Sequence, residues 1–224
     1  GGDPFELAKQ LHENKIQVGI FHGHEFAWVK TRYASLQPIV VCMNHLRCVR
    51  ACLVVPSSSK ASCYADLKGG AICLPRDSRD HCRIFFLQRC VKPGVDPKDF
   101  YKKICRPSDT VDALDDIASG KLPAAVVDHA ALDRYCRANI SESRKLRVIL
   151  ESEIFPPGII AYDCMAFPEA TAKKFREALT AAKDHARGRQ TLNLLKLKNF
   201  EPAPEDLDQM LEKIARAYPP QVVK

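Results

Sequence analysis

The chain has 224 residues, 46% of them hydrophobic and 27% charged, with 34 Lys and Arg against 27 Asp and Glu for a net charge of +7. That length is more than one small core needs, so one large domain or two lobes is expected, and the composition excludes collagen, coiled coil and disorder. No run approaches the roughly eighteen apolar residues of a membrane-spanning helix, so no membrane insertion of this chain is expected. There is no repeat of about 20 to 50 residues. Gly1-Gly2-Asp3-Pro4 lacks the basic start and apolar middle of a secretory leader. The positive charge favours anionic partners. Its bases are dispersed, though, and aromatic residues make up only 8%, so no nucleic-acid partner is expected.

In chain order, Phe5, Leu7, Ala8 and Leu11 lie at helical spacing, and Ile16 to Phe21 reads as a short buried strand. His22-Gly23-His24 breaks it, and a helix is predicted from about Glu25 to Leu36. Trp28, with Phe26, Val29 and Tyr33, belongs to its core side. Pro38 to Cys42 is a second strand and Cys48 to Val55 a third, followed by the linker-like Pro56-Ser57-Ser58-Ser59. Asp66-Leu67-Lys68-Gly69-Gly70 turns into a strand over Ala71 to Leu74. A helix starts near Asp77-Ser78, one of which is expected to cap it, and ends at Pro93-Gly94. Ser108-Asp109 caps a helix with the stripe Val111, Leu114, Ile117 and Ala118, stopped by Gly120. Ala124 to Val127 is a strand ending in Asp128-His129, and a helix through Leu132 and Tyr135 follows. Leu146 to Leu150 is a strand, Phe155-Pro156-Pro157-Gly158 a second linker, and Ile159 to Tyr162 leads into one long helix from about Pro168 to Arg187. Pro204 opens a last helix with Leu207, Leu211, Ile214 and Tyr218 on one face.

The ten cysteines form an even set, compatible with disulfides in an oxidising compartment. Several sit in apolar runs, such as Val40-Val41-Cys42 and Ile72-Cys73-Leu74, where cysteine serves as a small hydrophobe. Core packing, or one or two disulfides, is expected. Cys42, His45, Cys48 and Cys52 are a weaker zinc-type cluster, because strand-like sequence holds its two ends apart.

Alternating helices and strands predict an α/β chain with mixed, mostly parallel sheets. In such sheets the strand ends and following helix starts gather in one crevice. The loops to inspect are His22–Glu25, Pro75–His81, Pro107–Thr110 and Asp128–His129. A helix start suits a bound oxyanion. Ser78 would add a hydroxyl donor and Arg79 a two-pronged cation. His22, His24, His81 and Asp128 are an alternative nitrogen and oxygen set for a transition metal. Asp128 beside a bound anion would favour a zwitterionic or hydroxyl-bearing ligand. His81 and Cys82 are adjacent on a helix and are expected to face apart, which disfavours a Cys–His nucleophile. No hydrolase elbow, phosphate-binding loop or dinucleotide fingerprint occurs, and no cofactor is expected.

The order of these motifs resembles the phosphate/phosphonate-type solute-binding proteins of ABC importers, a branch of the type 2 periplasmic binding fold. The likeness rests on Phe5 to Phe21 with its turn Phe21-His22-Gly23-His24, on Ala65-Asp66-Leu67-Lys68-Gly69-Gly70-Ala71-Ile72, and on Pro75 to His81 in the place of a hydroxyl-rich helix cap. It continues through Ser108 to Lys121, Ala125-Val126-Val127-Asp128 with Ala131-Leu132-Asp133, and Leu146 to Pro157. The resemblance implies a two-lobed protein, lobe I from residues 1–56 and 154–224 and lobe II from 57–153. The family's first strand, helix and strand are missing, so lobe I is expected to be truncated at its amino end. The resemblance further implies capture of a small anionic or zwitterionic ligand, no catalysis, and an ABC transporter membrane subunit or a sensor as partner. Its implied address is periplasmic or extracellular, with the leader absent. The ligand-binding residues would be His22, His24, Glu25, Ser78, Arg79, His81, Ser108 and Asp128. The alternatives are a metal-binding protein using His22, His24, His81 and Asp128, and an enzyme on the same fold that resembles the pyrimidine-precursor synthases.

Overall fold

The computed structural model of the chain describes residues 2–43 and 49–220. Two compact units are present, Gly1–Cys48 with Ile154–Lys224, and Val49–Glu153. The first stretch holds α1 (Pro4–His12), β1 (Gly19–Phe21), α2 (Gly23–Arg32) and β2 (Leu36–Met43). The middle stretch holds β3 (Ala51–Pro56), a 3-10 turn (Tyr64–Leu67), β4 (Ala71–Cys73), α3 (Asp80–Arg89), α4 (Pro97–Phe100), β5 (Lys103–Cys105), α5 (Thr110–Ala118), β6 (Ala125–Asp128), α6 (His129–Ala138), α7 (Ile140–Ser143) and β7 (Leu146–Glu151). The last stretch returns to the first unit with β8 (Gly158–Asp163), α8 (Glu169–Thr180), a 3-10 turn (Ala182–Asp184), α9 (Ala186–Leu194), β9 (Asn199–Glu201) and α10 (Leu207–Ala217).

In the first unit, α1 starts where its residues dictate: Asp3 accepts from the Phe5 N–H at 2.9 Å and Pro4 takes the first helical position, where its missing N–H costs nothing. The sheet order is β1-β8-β2-β9, every ladder antiparallel. Ile39, Val40, Ile160, Tyr162, Ala172, Leu192 and Phe200 form its core. The spacing of Leu207, Leu211, Ile214 and Tyr218 holds, and all four are buried.

Two elements of this unit differ from the sequence reading. The helix expected over 168–187 is broken: α8 ends at Thr180, His185 is extended (φ −112°, ψ 145°), and α9 starts afresh. The break brings α9 against the preceding turn, where a Cβ on Gly188 would lie 1.9 Å from the Ala182 carbonyl oxygen. No proline marks it. Strand β9 was also not expected, because Asn199-Phe200-Glu201 has no run of its own and becomes a strand by pairing with Val41, Cys42 and Met43.

In the second unit the order is β5-β4-β6-β3-β7. The α/β class with helices flanking mixed sheets stands, but the parallel share is smaller than expected. Parallel pairing is confined to β5-β4-β6, while β3 runs against both β6 and β7. β3 and β8 are the strands that follow a passage of the chain from one unit to the other, and each opposes its neighbours.

The core here is built from Cys52, Val54, Cys73, Leu114, Ile117, Val127, Leu132 and Tyr135. Nine described cysteines are free, and Cys42, Cys52, Cys73, Cys82 and Cys90 are buried. The five buried ones pack in the cores, and the disulfide alternative is corrected for the described residues. Of the zinc-type cluster, His45 and Cys48 lie outside the described residues; Cys42 and Cys52 are in strands of different units.

Candidate functional site

Because β5, β4 and β6 run parallel as neighbours, the loops that follow them leave from one edge of the sheet, and each opens a helix: α3, α5 and α6. Ser78, Arg79, His81 and Ser108 lie on these loops or on the first turn after them, and Asp128 is the last residue of β6 and the N-cap of α6. Cross-links hold the edge together. The Arg76 N–H donates to the Pro107 carbonyl at 3.0 Å, Arg76 Nε donates to the Arg106 carbonyl at 3.2 Å, and Thr110 Oγ1 donates to Asp77 at 3.4 Å.

The start of α3 departs from the expectation that Asp77 or Ser78 caps it. The N-cap residue is Arg79, without a side-chain cap bond. Pro75 to Ser78 form a turn instead, the Ser78 N–H reaching the Pro75 carbonyl at 3.2 Å, and Asp77 turns to Thr110. Ser78 Oγ is left buried without a hydrogen-bond partner, an uncommon condition for a hydroxyl. The next helix follows its sequence: Asp109 caps α5 by accepting from the Asp112 N–H at 3.0 Å, and Ser108 beside it is exposed.

Asp128 has two duties inside the unit. One oxygen caps α6 by accepting from the Ala131 N–H at 3.0 Å; the other faces His81 Nε2 at 3.1 Å. Burial pushes its carboxyl up, but the hydrogen bond and charge of His81, the Ala131 N–H and the Arg79 charge outweigh that and hold it below the usual value. His81 is 6% exposed. Its Nε2 also lies 3.3 Å from Cys82 Sγ, so these neighbours meet where they were expected to face apart. The contact does not make a nucleophile. Cys82 is wholly buried, and burial with the nearby Asp128 charge drives its thiol well above the ordinary range, whereas reactive cysteines need a depressed one.

In the other unit, β1 ends at Phe21 and the next residue, His22, is the N-cap of α2. Glu25 Oε2 accepts from the His22 N–H at 2.9 Å, half of a capping box, so its carboxylate is committed locally. The exposed His22 ring stacks on buried His24 at 5.6 Å and 5°. His24 meets Trp28 and Phe155 edge-on at 5.0 and 6.1 Å. Trp28, half-buried, donates Nε1 to the Tyr218 carbonyl at 2.6 Å. The pair packs into an aromatic corner, leaving the His22 ring as its outward face.

The alternative metal set thus divides two and two: His22 and His24 in one unit, His81 and Asp128 in the other. Among the described residues, the three metal-ligating atoms that lie close together are those of Cys52, His129 and Glu151. Burial, with the charges of Glu151, Asp128 and Asp133, pushes the Cys52 thiol up to about 12. The sequence reading missed His129 and Glu151. Nothing in a single sequence signals that Glu151 pairs with Cys52 across a ladder.

A family model described as "ABC transporter, phosphonate, periplasmic substrate-binding protein" matches residues 2–207. No curated protein matches the chain. Among solved structures it is similar to XAC2383 from Xanthomonas citri bound to chloride ion, with 12% identity, a TM-score of 0.64, and coverage of 96% of this chain and 81% of that one. The same protein bound to ATP matches with 13% identity, a TM-score of 0.63, and coverage of 97% and 83%. PhnD1 from Prochlorococcus marinus in complex with methylphosphonate matches with 15% identity, a TM-score of 0.54, and coverage of 96% and 83%. A binding-protein component of an ABC phosphonate transporter from Pseudomonas aeruginosa matches with 16% identity, a TM-score of 0.54, and coverage of 96% and 72%. At these identities the likenesses show a shared fold.

Proposed function

Because the chain belongs to the periplasmic substrate-binding protein family of phosphonate ABC transporters, we propose that it captures a small anionic or zwitterionic ligand of the phosphonate or phosphate-ester kind and delivers it to an ABC importer or a sensor. Family membership implies the solute-binding role, the transporter partner and the periplasmic address. No helix among the described residues is long and apolar enough to cross a membrane. The ligand class and the residues that meet it are our reading, as is the absence of a catalytic step. In that reading the two units act as lobes that close on the ligand, and the transporter responds to closure.

The observation that carries the reading is the common edge of β5, β4 and β6, where three helix starts and the unpartnered Ser78 hydroxyl stand beside Arg79. Backbone N–H groups at helix starts suit an oxyanion, a buried hydroxyl without a partner supports a donor role toward it, and Arg79 supplies charge. His22 and His24 are the first unit's proposed contribution. Ser108, exposed beside the Asp109 cap, is a peripheral donor. With both Asp128 oxygens hydrogen-bonded within the unit, its carboxylate needs no amine from the ligand. Simple alkylphosphonates and aminoalkylphosphonates therefore both fall within the class. Methylphosphonate and ATP, bound by similar proteins, make a phosphonate and a phosphate ester the first compounds to try.

Ser78→Ala and Arg79→Ala are each expected to weaken binding by about 1–3 kcal/mol, measured by calorimetry with methylphosphonate, 2-aminoethylphosphonate and a nucleotide as titrants. Unchanged affinity in both variants would return these residues to a turn and a surface. A thermal-shift series over the same compounds adds a second readout, since a ligand selective for the native state raises Tm.

A further inference from the structure

We propose that Cys52, His129 and Glu151 form a binding site for one zinc-type divalent ion in the 49–153 unit, separate from the anion site and independent of it. The three donors come from β3, α6 and β7, and backbone bonds fix all three elements. Cys52 is the register partner of Glu151, and Ala51 that of Asp128, the residue before His129. The His129 N–H donates to the Arg50 carbonyl at 2.9 Å, tying the first residue of α6 to the chain just before β3. The Cys52 sulfur, a His129 ring nitrogen and a Glu151 oxygen lie within 4.8 Å of one another.

Their surroundings are arranged as a metal centre needs. His129 turns Nε2 towards Glu151 Oε1 at 4.0 Å and Nδ1 towards Asp133 Oδ2 at 3.5 Å, one helical turn along. A carboxylate on the far nitrogen of a metal-bound histidine fixes the ring's tautomer and direction. Glu151 divides its oxygens similarly: Oε2 faces Arg50 at 3.3 Å and Oε1 faces His129. Exposure grades from buried Cys52 through half-buried His129 to exposed Glu151, so solvent meets the cluster on its Glu151 side.

Chemistry selects the ion. Thiolate, imidazole and one carboxylate oxygen suit zinc, whereas magnesium and calcium take oxygen alone. Bond lengths of zinc sites put tetrahedral ligand atoms about 3.5 Å apart. Closing from the present spacing therefore needs small rotations of His129 and Glu151, the two side chains on the solvent side. One doubly charged ion with one thiolate, one carboxylate and a neutral imidazole is electroneutral, and binding releases the Cys52 proton to solvent.

The test is titration of the reduced, metal-free full chain with Co²⁺ and then Zn²⁺, read by absorption. One equivalent of Co²⁺ is expected to produce a thiolate charge-transfer band that Zn²⁺ abolishes. His129→Ala and Glu151→Gln should each weaken binding at least ~10-fold, and Asp133→Asn should weaken it by about the same factor. Cys63→Ser and Cys164→Ser, at exposed cysteines, should leave binding unchanged. Cys52→Ser should abolish the band, and if its fold fails by circular dichroism, His129→Ala decides. The proposal is overturned if Co²⁺ gives no thiolate band, if His129→Ala leaves the Co²⁺ affinity unchanged, or if the band disappears with Cys63 or Cys164. Any of these would leave His129 as an ion-pair bridge between Asp133 and Glu151.

Discussion

Gly23→Ala is expected to destabilise the protein by about 3 kcal/mol, lowering Tm by roughly 6–12 °C for a chain of this size. Gly23 opens α2, and a Cβ there would sit 2.2 Å from the Pro156 carbonyl oxygen and 2.6 Å from that of Pro157. Both are backbone atoms of a segment stiffened by consecutive prolines, so the obstruction cannot rotate away as a long side chain would. Alanine is ordinarily neutral or favourable near a helix start, which makes the sign of the effect diagnostic. The damage should also reach the proposed site, since Gly23 lies between His22 and His24. Denaturant unfolding checks it: a loss below about 1 kcal/mol would mean that the linker yields to a methyl group.

Asp163→Ala should cost about 2–3 kcal/mol. Asp163 is 1% exposed, and three donors converge on it: Ser35 Oγ at 2.7 Å, His12 Nδ1 at 2.9 Å and the Met165 N–H at 2.8 Å. The carboxylate joins the end of α1, the turn before β2 and the end of β8, and removing it takes the acceptor from all three donors, of which half-exposed His12 can turn to water. The same residue sets a pH dependence. Burial pushes its carboxyl up, but the hydrogen bonds from Ser35, His12 and Met165 N–H outweigh burial and leave it below the ordinary value. A carboxyl lowered in the folded state contributes stability that is complete above its unfolded value, about 3.9, and lost as pH falls through the folded value. The stability difference between the protein and Asp163→Asn should therefore be constant near neutrality and shrink below about pH 4. A difference that stays constant down to pH 2 would show that Asp163 is not held as an ion.

Much of the fold was legible in residues close along the chain. The stripe of α10, the Asp109 cap and the apolar run of β6 each depend on a few neighbouring positions, where side-chain chemistry acts on its own backbone. The motif order from Phe5 to Pro157 carried the family on the same terms. The loops of the anion site were legible too, because strand ends and helix starts are local features. What those loops do with their side chains was not. Asp77, expected as a possible cap, turns to Thr110, the Ser78 hydroxyl stands buried without a partner, and Glu25 spends its carboxylate on the His22 N–H.

Local spacing thus settled the class of the fold, most of its helices and the family to which it answers. Packing alone chose the strand pairings, the break at His185 and the meetings of His81 with Asp128, Cys52 with Glu151, and His12 with Asp163 at a separation of 151 residues. The reason is physical: a cap or a stripe is a property of one segment, whereas register and the satisfaction of buried polar atoms belong to pairs of segments that must first be brought together.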